Sequence, residues 1–238
     1  MSNYKLTYKP LGSGAILITW PAIISEEILL DIRCFVSKIE NIKHKEILDI
    51  NFIYNSILVS YNYLSVGFDE LVLVLKSMYE EGENHLDVVN TVWNIPVCYS
   101  EEFGVDLALL SSEKNMSIEE IVNLHCSVTY TVFGIGFLPG FLYLGGLPEK
   151  LHFSRKNTPR LIVPKGSVGI GGNQTGIYPQ DSPGGWQLIG KSPVNLFDAT
   201  NEIPCDITPG DRIQFFPISV DEFHKQEVLQ LKPTIIHD

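Results

Sequence analysis

Basic residues are scarce in this 238-residue chain: 17 Lys plus Arg stand against 28 Asp plus Glu, a formal net charge of −11. A surface of that average sign repels a phosphate backbone, which excludes nucleic acid as an expected partner. Cysteine is rarer still. Cys34, Cys98, Cys126 and Cys205 are scattered without a CxxC pair, so neither an obvious zinc knuckle nor a disulfide framework is expected, and no metal site is assigned. No apolar run approaches the ~20 residues that span a bilayer, and the opening MSNYKLTYKP lacks the apolar stretch of a signal peptide. A soluble, cytoplasmic protein without a membrane partner is the expectation. Hydrophobic residues at 45% and charged residues at 19% exclude a disordered chain and suffice for two modest domains or one large one.

Glycine and proline are unevenly spread. Met1 to about Tyr99 holds only four glycines and three prolines, whereas Gly134 to Pro217 carries most of the remainder. In the first part, Ala15–Trp20 reads as a strand ended by Pro21, which has no N–H to pair. Ser25 is placed to cap a helix whose apolar stripe is Ile28, Ile32, Phe35, Val36 and Ile39, with Glu26, Asp31 and Lys38 facing out. Ile47–Tyr54 and Ile57–Tyr61 are β-branched and aromatic and form a hairpin about Asn55-Ser56. Phe68, Leu71, Val72, Leu75 and Tyr79 restore the helical period, and Val88–Val97 returns to strand composition. The β-α-β-β-α-β order over 1–99 matches the split βαβ, ferredoxin-like arrangement, giving an α+β N-terminal domain.

Residues 100–126 form a helical connector, with a helix around Val105–Leu110 and a second opened by the S-x-x-E capping box at Ser117 and closing at His125. From 127 to 238 the helical period vanishes. Short β-rich pieces (TYTVFGIGF, LIVP, SVGIG, GWQLIG, DRIQFFP) alternate with Gly/Pro turns, which predicts a mostly-β barrel or sandwich.

Several motifs carry chemistry on their face. Gly185–Ser192 satisfies G-x-x-x-x-G-K-[ST], but Trp-Gln-Leu-Ile reads as a strand and Pro193 biases Ser192 away from helix, so the helix a phosphate loop requires is missing. GSVGIGGNQTG, 166–176, is either a backbone nest for an anion or a set of tight β-turns, and composition favours the turns. In GFLPGFLYLGGLP, 136–148, the aromatics Phe137, Phe141 and Tyr143 suit a pocket wall or a core. Arg155, Lys156, Arg160 and Lys165 crowd eleven positions of an acidic chain, a candidate cationic patch or a solvated loop. His125 is a helix-end or core histidine before it is a general base. Asp181 and Asp211 sit at turns.

GFLPGFLYLGGLP followed by TPRLIVPKGSVGIGGNQTGIYPQDSPGGWQLIGKSP resembles the family that comprises the B subunit of 5-oxoprolinase (PxpB), the kinase inhibitor KipI and allophanate hydrolase subunit 1. That resemblance implies a ferredoxin-like N-terminal domain and a cyclophilin-like β-barrel C-terminal domain. It also implies ATP-dependent opening of 5-oxo-L-proline to L-glutamate together with subunits A and C, with ATP and Mg²⁺ engaged at the level of the complex. On that basis His125, Arg160 and Lys165 are the candidate catalytic residues. Candidates for binding a small anionic substrate are Arg155, Phe137, Phe141, Tyr143, Gly171, Gly172, Gln174, Thr175, Tyr178 and Trp186. The same resemblance admits an inhibitor of histidine kinase autophosphorylation, or a subunit in allophanate or urea-carboxylase metabolism. Lys156 and Lys191 stand where relatives often carry Arg, which removes the planar fork suited to bidentate anion binding.

Overall fold

In the computed structural model, which describes residues 4–81, 90–229 and 231–236, the chain divides into two units, Met1–Val89 and Asn90–Asp238. The first is built on alternation. In β2 (Ala15–Thr19) Ile16 and Ile18 are buried, and in β4 (Ser56–Tyr61) Ile57, Val59 and Tyr61 are buried, so each strand presents one apolar face. With β1 (Thr7–Pro10) and β3 (Ile47–Ile53) they form an antiparallel sheet in the order β1-β2-β4-β3.

Helix α1 (Glu26–Ile42) starts where the Ser25 side chain accepts a bond from the Ile28 N–H, and α2 is Phe68–Glu80. Their buried stripes, Ile28, Ile32, Phe35, Val36 and Ile39 on one and Leu71, Val72, Leu75 and Met78 on the other, share a core with β2 and β4. Three local expectations shift. The hairpin turn lies one residue earlier, at Tyr54-Asn55, because Ile53 pairs with Ser56, and the Asn55 amide is used instead to donate to the Trp20 and Pro21 carbonyls. Asp31 does not face out; it accepts bonds from Trp20 Nε1 (2.7 Å) and Tyr79 Oη (2.6 Å). Lys38 likewise donates to the Met78 carbonyl at 3.1 Å.

A larger difference concerns the strand expected to complete the first sheet. β5 (Val92–Val97) belongs to the second unit, pairing in parallel with β13 (Arg212–Pro217) and antiparallel with β14 (Thr234–Ile235). The fourth strand of the first sheet is β1, so that unit runs β-β-α-β-β-α rather than in the split βαβ order. Hydrophobic pattern identifies a strand but not its neighbour, and the partner is decided by tertiary pairing. Val88 and Val89 of the expected strand lie outside the described residues.

The second unit carries α3 (Leu107–Lys114), α4 (Ile118–Cys126) with its Ser117/Glu120 capping box, and α5 (Val220–Leu229), a helix within the segment where no helical period is expected, because Phe223 is its one buried residue and leaves no apolar stripe to read. Its strands are β6 (Thr129–Ile135), β7 (Leu142–Gly145), β8 (Arg160–Val163), β9 (Ser167–Gly171), β10 (Gln174–Ile177), β11 (Ser182–Gly184) and β12 (Gln187–Lys191), with β5, β13 and β14. Pairing runs β12-β9-β10-β7-β6-β13-β5, and Cys98, next after β5, exchanges two backbone bonds with Lys191 on β12. The strands therefore form a continuous circuit around a core that includes Ile95, Tyr130, Val132, Leu144, Val168, Ile170 and Ile189. β8 and β11 stand apart as a two-stranded ribbon.

Candidate functional site

The site begins with a strand pair that alternates aliphatic residues and glycine. On β9 and β10, Val168, Ile170 and Ile177 face the main core, while Gly169, Gly171 and Gly176 face the Trp186 side chain. A Cβ on Gly171 would lie 2.5 Å from the indole, and one on Gly176 would lie 3.0 Å from it and 2.8 Å from the Leu142 carbonyl. The glycine-rich motif is thus a pleated seat for an indole ring, made possible by two missing side chains. It is neither an anion nest nor a run of turns, apart from the two-residue β9–β10 turn where Gly172 has φ 70°.

Around the seated indole the aromatic residues meet edge to face. Phe141 lies 5.5 Å from Trp186, 5.3 Å from Tyr178 and 4.9 Å from Tyr143 between ring centroids. Phe137 projects at the rim, 62% exposed, its ring 5.6 Å from Phe141 and nearly perpendicular to it. Its backbone is strained: φ is 64°, and the Leu138 N–H donates to the Gly136 carbonyl at 2.7 Å across it, a three-residue turn with positive φ. A bulky residue held in this region and exposed points to use of its ring at the surface.

Two cations complete the cleft, which encloses about 360 Å³ and is lined by these aromatics with Arg155, Lys156 and the Pro183–Gly185 stretch. The Arg155 guanidinium stands 5.5 Å over the Trp186 ring. Its segment is pinned to the indole-bearing segment by Lys156 N–H to Gly185 carbonyl (2.7 Å) and Gln187 Nε2 to Ser154 carbonyl (3.0 Å). Burial pushes the Tyr143 and Tyr178 phenols up, against the opposing pull of Arg155 on both, so each stays an O–H at neutral pH. The cleft offers flat apolar walls, neutral hydroxyls and two positive charges, a combination suited to a small planar ring bearing an anionic group.

Of the residues expected from sequence, Phe137, Phe141, Tyr143, Arg155, Tyr178 and Trp186 converge here. Gly171 supports the cleft from beneath. Arg160 does not line it: Nη2 is 2.7 Å from both Asp106 oxygens and Nη1 donates to the Trp186 carbonyl at 3.2 Å. Lys165 lies in a separate cavity of about 230 Å³ with Asp181, Lys191, Asn195 and Glu227, its Nζ bonded to Asn195 at 3.0 Å. Gln174 and Thr175 are buried on β10.

His125 is fully buried in the core, stacked 4.8 Å from the Phe215 ring. Thr175 Oγ1 donates to the Gly169 carbonyl (3.0 Å), so it accepts from His125 Nε2 (3.0 Å), and Nδ1 then accepts from the Tyr99 hydroxyl (2.8 Å). Burial pushes the imidazole down to about 3, and the ring is a neutral, satisfied core residue. Asp106, which sequence reasoning missed, is a buried hub. It precedes α3 at the N-cap position, yet its carboxylate makes no cap bond and turns to Arg160. A lone Asp before a helix signals a cap, and no sequence pattern announces that it does something else. The phosphate-loop match of Gly185–Ser192 forms β12, so no helix begins at Lys191.

The family profile for "Carboxyltransferase domain, subdomain C and D" matches residues 6–207. Proteins named as the B subunit of 5-oxoprolinase are similar to this chain: that of Haemophilus influenzae is 38% identical over 87% of this chain and 95% of its own length. That of Bacillus subtilis is 33% identical over 90% of this chain and 93% of its own. The protein of the same name from Escherichia coli O157:H7 is 48% identical over 60% of this chain and 65% of its own. Among solved structures, TTHA0988 is 31% identical with a TM-score of 0.76, covering 86% of this chain, which accounts for 40% of that longer one. Kluyveromyces lactis urea carboxylase, 19% identical over 98% of this chain and 24% of its own, shares the fold with a TM-score of 0.80. This chain belongs to the carboxyltransferase domain, subdomain C and D, family, alongside the proteins named as the B subunit of 5-oxoprolinase.

Proposed function

We propose that this chain is the component of an ATP-dependent 5-oxoprolinase that seats 5-oxo-L-proline in the Phe141–Trp186 cleft, working with subunits A and C to release L-glutamate. The observation that carries this reading is the agreement between near-full-length relatives of that name and a cleft whose flat walls and paired cations suit a five-membered lactam with a carboxylate. In this reading the lactam ring packs on Trp186 and Phe141, and the carboxylate meets Arg155 and Lys156.

An amide carbonyl is a poor electrophile and the five-membered ring is stable. ATP would supply the phosphoryl group that activates the lactam oxygen, leaving ADP; water then adds to the activated carbon, the C–N bond breaks so that the nitrogen becomes the amine of glutamate, and a second water releases phosphate from the resulting acyl phosphate. In this reading the residues of this chain bind and orient the lactam and exclude water from its apolar face, and the Tyr143 and Tyr178 hydroxyls donate to a developing oxyanion. Among the described residues no group of three or more His, Cys, Asp or Glu side chains is arranged to hold a metal ion. In this reading ATP with Mg²⁺ is engaged at the level of the assembled complex. The circuit of strands in the second unit is read as a cyclophilin-like barrel, and the first unit as a variant of the ferredoxin-like arrangement in which β1 replaces the last strand.

A urea-carboxylase-type role is the second reading, favoured by the fold shared over 98% of the chain with Kluyveromyces lactis urea carboxylase. Glutamate and phosphate release from 5-oxoproline plus ATP, measured with this chain, with subunits A and C, and with all three, tests the first reading. Release only from the complete mixture is expected, and none from the complete mixture ends it. Neighbouring genes for subunits A and C favour the lactamase, whereas a neighbouring sensor kinase favours the inhibitor reading.

A further inference from the structure

The most constrained group near the cleft is one that does not line it. Asp106 is 5% exposed, and three donor groups converge on its carboxylate: Arg160 Nη2 at 2.7 Å from each oxygen, the Leu188 N–H at 2.7 Å from Oδ2, and Lys156 Nζ at 3.5 Å from Oδ1. The Asp106 N–H also donates to the Leu188 carbonyl at 3.0 Å, so backbone and side chain are both tied to β12. Swinging away would leave a buried charge unpaired, and the carboxylate is therefore locked.

Arg160 passes that constraint on. With Nη2 on Asp106, its other terminal nitrogen donates to the Trp186 carbonyl at 3.2 Å, while the Trp186 indole rests on the bare strands at Gly171 and Gly176. The wall of the cleft is thus held by its backbone from one side and by its ring from the other. A guanidinium suits this double duty because its donors are fixed in a plane, whereas an ammonium reaches one acceptor direction at a time. Lys156, at the longer distance from Asp106, does line the cleft, as does Arg155.

We propose that Asp106 and Arg160 are the positioning pair of this cleft: the buried carboxylate locks the guanidinium, the guanidinium holds Trp186 by its carbonyl, and Arg155 and Lys156 meet the ligand's charge. The assignment of ligand charge rests on the cleft being the lactam site; the Asp106–Arg160–Trp186 linkage stands on the geometry alone. A positioning residue acts through the shape of the wall, so it affects charged and uncharged occupants equally. A charge-contacting residue affects only the charged one.

The experiment uses the full chain, with 5-oxo-L-proline and its uncharged counterpart 2-pyrrolidinone as probes and the Trp186 indole N–H resonance as readout. Arg160→Lys is expected to weaken both ligands by the same factor, on the order of tenfold. Arg155→Ala is expected to weaken 5-oxoproline by about tenfold and leave 2-pyrrolidinone within about twofold. A larger loss of the anion than of the neutral lactam in Arg160→Lys, or no loss of either, overturns the proposal. Binding of neither probe to the unaltered chain removes the lactam reading instead. The positioning claim is then decided in the ligand-free protein, where Asp106→Asn and Arg160→Lys should shift or broaden the Trp186 line while those of Trp20 and Trp93 stay put. An unmoved Trp186 line overturns it, and Arg160→Lys alone suffices where Asp106→Asn does not fold.

Discussion

The two faces of the β9–β10 hairpin, Ser167 to Ile177, are made from the same short stretch of chain and do opposite things. Inward, Thr175 joins a chain of bonds from Gly169 through His125 to Tyr99, in which each polar group has a partner and the imidazole is held neutral. Outward, the glycines carry no side chains at all, and the space they leave is filled by an indole whose far side opens to the cleft. A strongly perturbed titratable group can owe its shift to burial alone. His125 is strongly shifted because it is dry and closed in, whereas the cleft owes its character to an exposed arginine, a half-buried lysine, a strained phenylalanine and an aromatic wall.

That contrast can be tested from its strongest effect downward. The inward face should be acid-sensitive. His125 binds a proton in the unfolded chain below about pH 6.5 but in the folded one only near pH 3. The unfolded state therefore holds more protons in that window, and stability falls as pH drops through it, by at most about 1.4 kcal/mol per pH unit. Urea denaturation from pH 7 to 4 should show this slope in the unaltered chain and lose it in His125→Gln. A persistent slope would assign the acid sensitivity elsewhere.

Next, Gly171→Val should cost roughly 1–3 kcal/mol by overpacking the indole seat and should abolish ligand binding to the cleft. Thr175→Val, on the opposite face of the same hairpin, should cost about 1–2 kcal/mol by leaving the imidazole without its acceptor, with ligand affinity unchanged. Equal effects on affinity would erase the distinction between the faces. The smallest change is expected at the rim. Phe137→Gly relieves a positive φ, so stability to urea should hold or rise by up to about 1 kcal/mol, while affinity for 5-oxoproline falls. A clear loss of stability would show that the Phe137 ring holds the fold rather than the ligand.

Local structure was largely legible in the sequence because it is dictated over short range. The Ser25 cap and the Ile28–Ile39 stripe are read from periodicity, and the Ser117–Glu120 capping box from four adjacent residues. Composition alone reads Phe137, Phe141 and Tyr143 as core more readily than as a pocket wall, and Tyr178 and Trp186 join them only through the family resemblance. The glycine alternation in SVGIGG is visible too, but its meaning is not: a bare strand face declares space without saying what fills it, and Trp186 arrives from fifteen residues beyond Gly171.

Residue order alone dictates most of the helices and strands, though not β1 or α5, and it shows which of their faces are apolar and that cations and aromatics crowd one region of an acidic chain. Three-dimensional packing was needed to establish that β5 pairs with β13, that Arg160 is committed to Asp106 across 54 positions, and that His125 is sealed among Tyr99, Thr175 and Phe215. The cause is range. Torsional preference and side-chain period act over a few residues, whereas the partner of a buried charge or a strand edge is set by whichever distant group desolvates together with it.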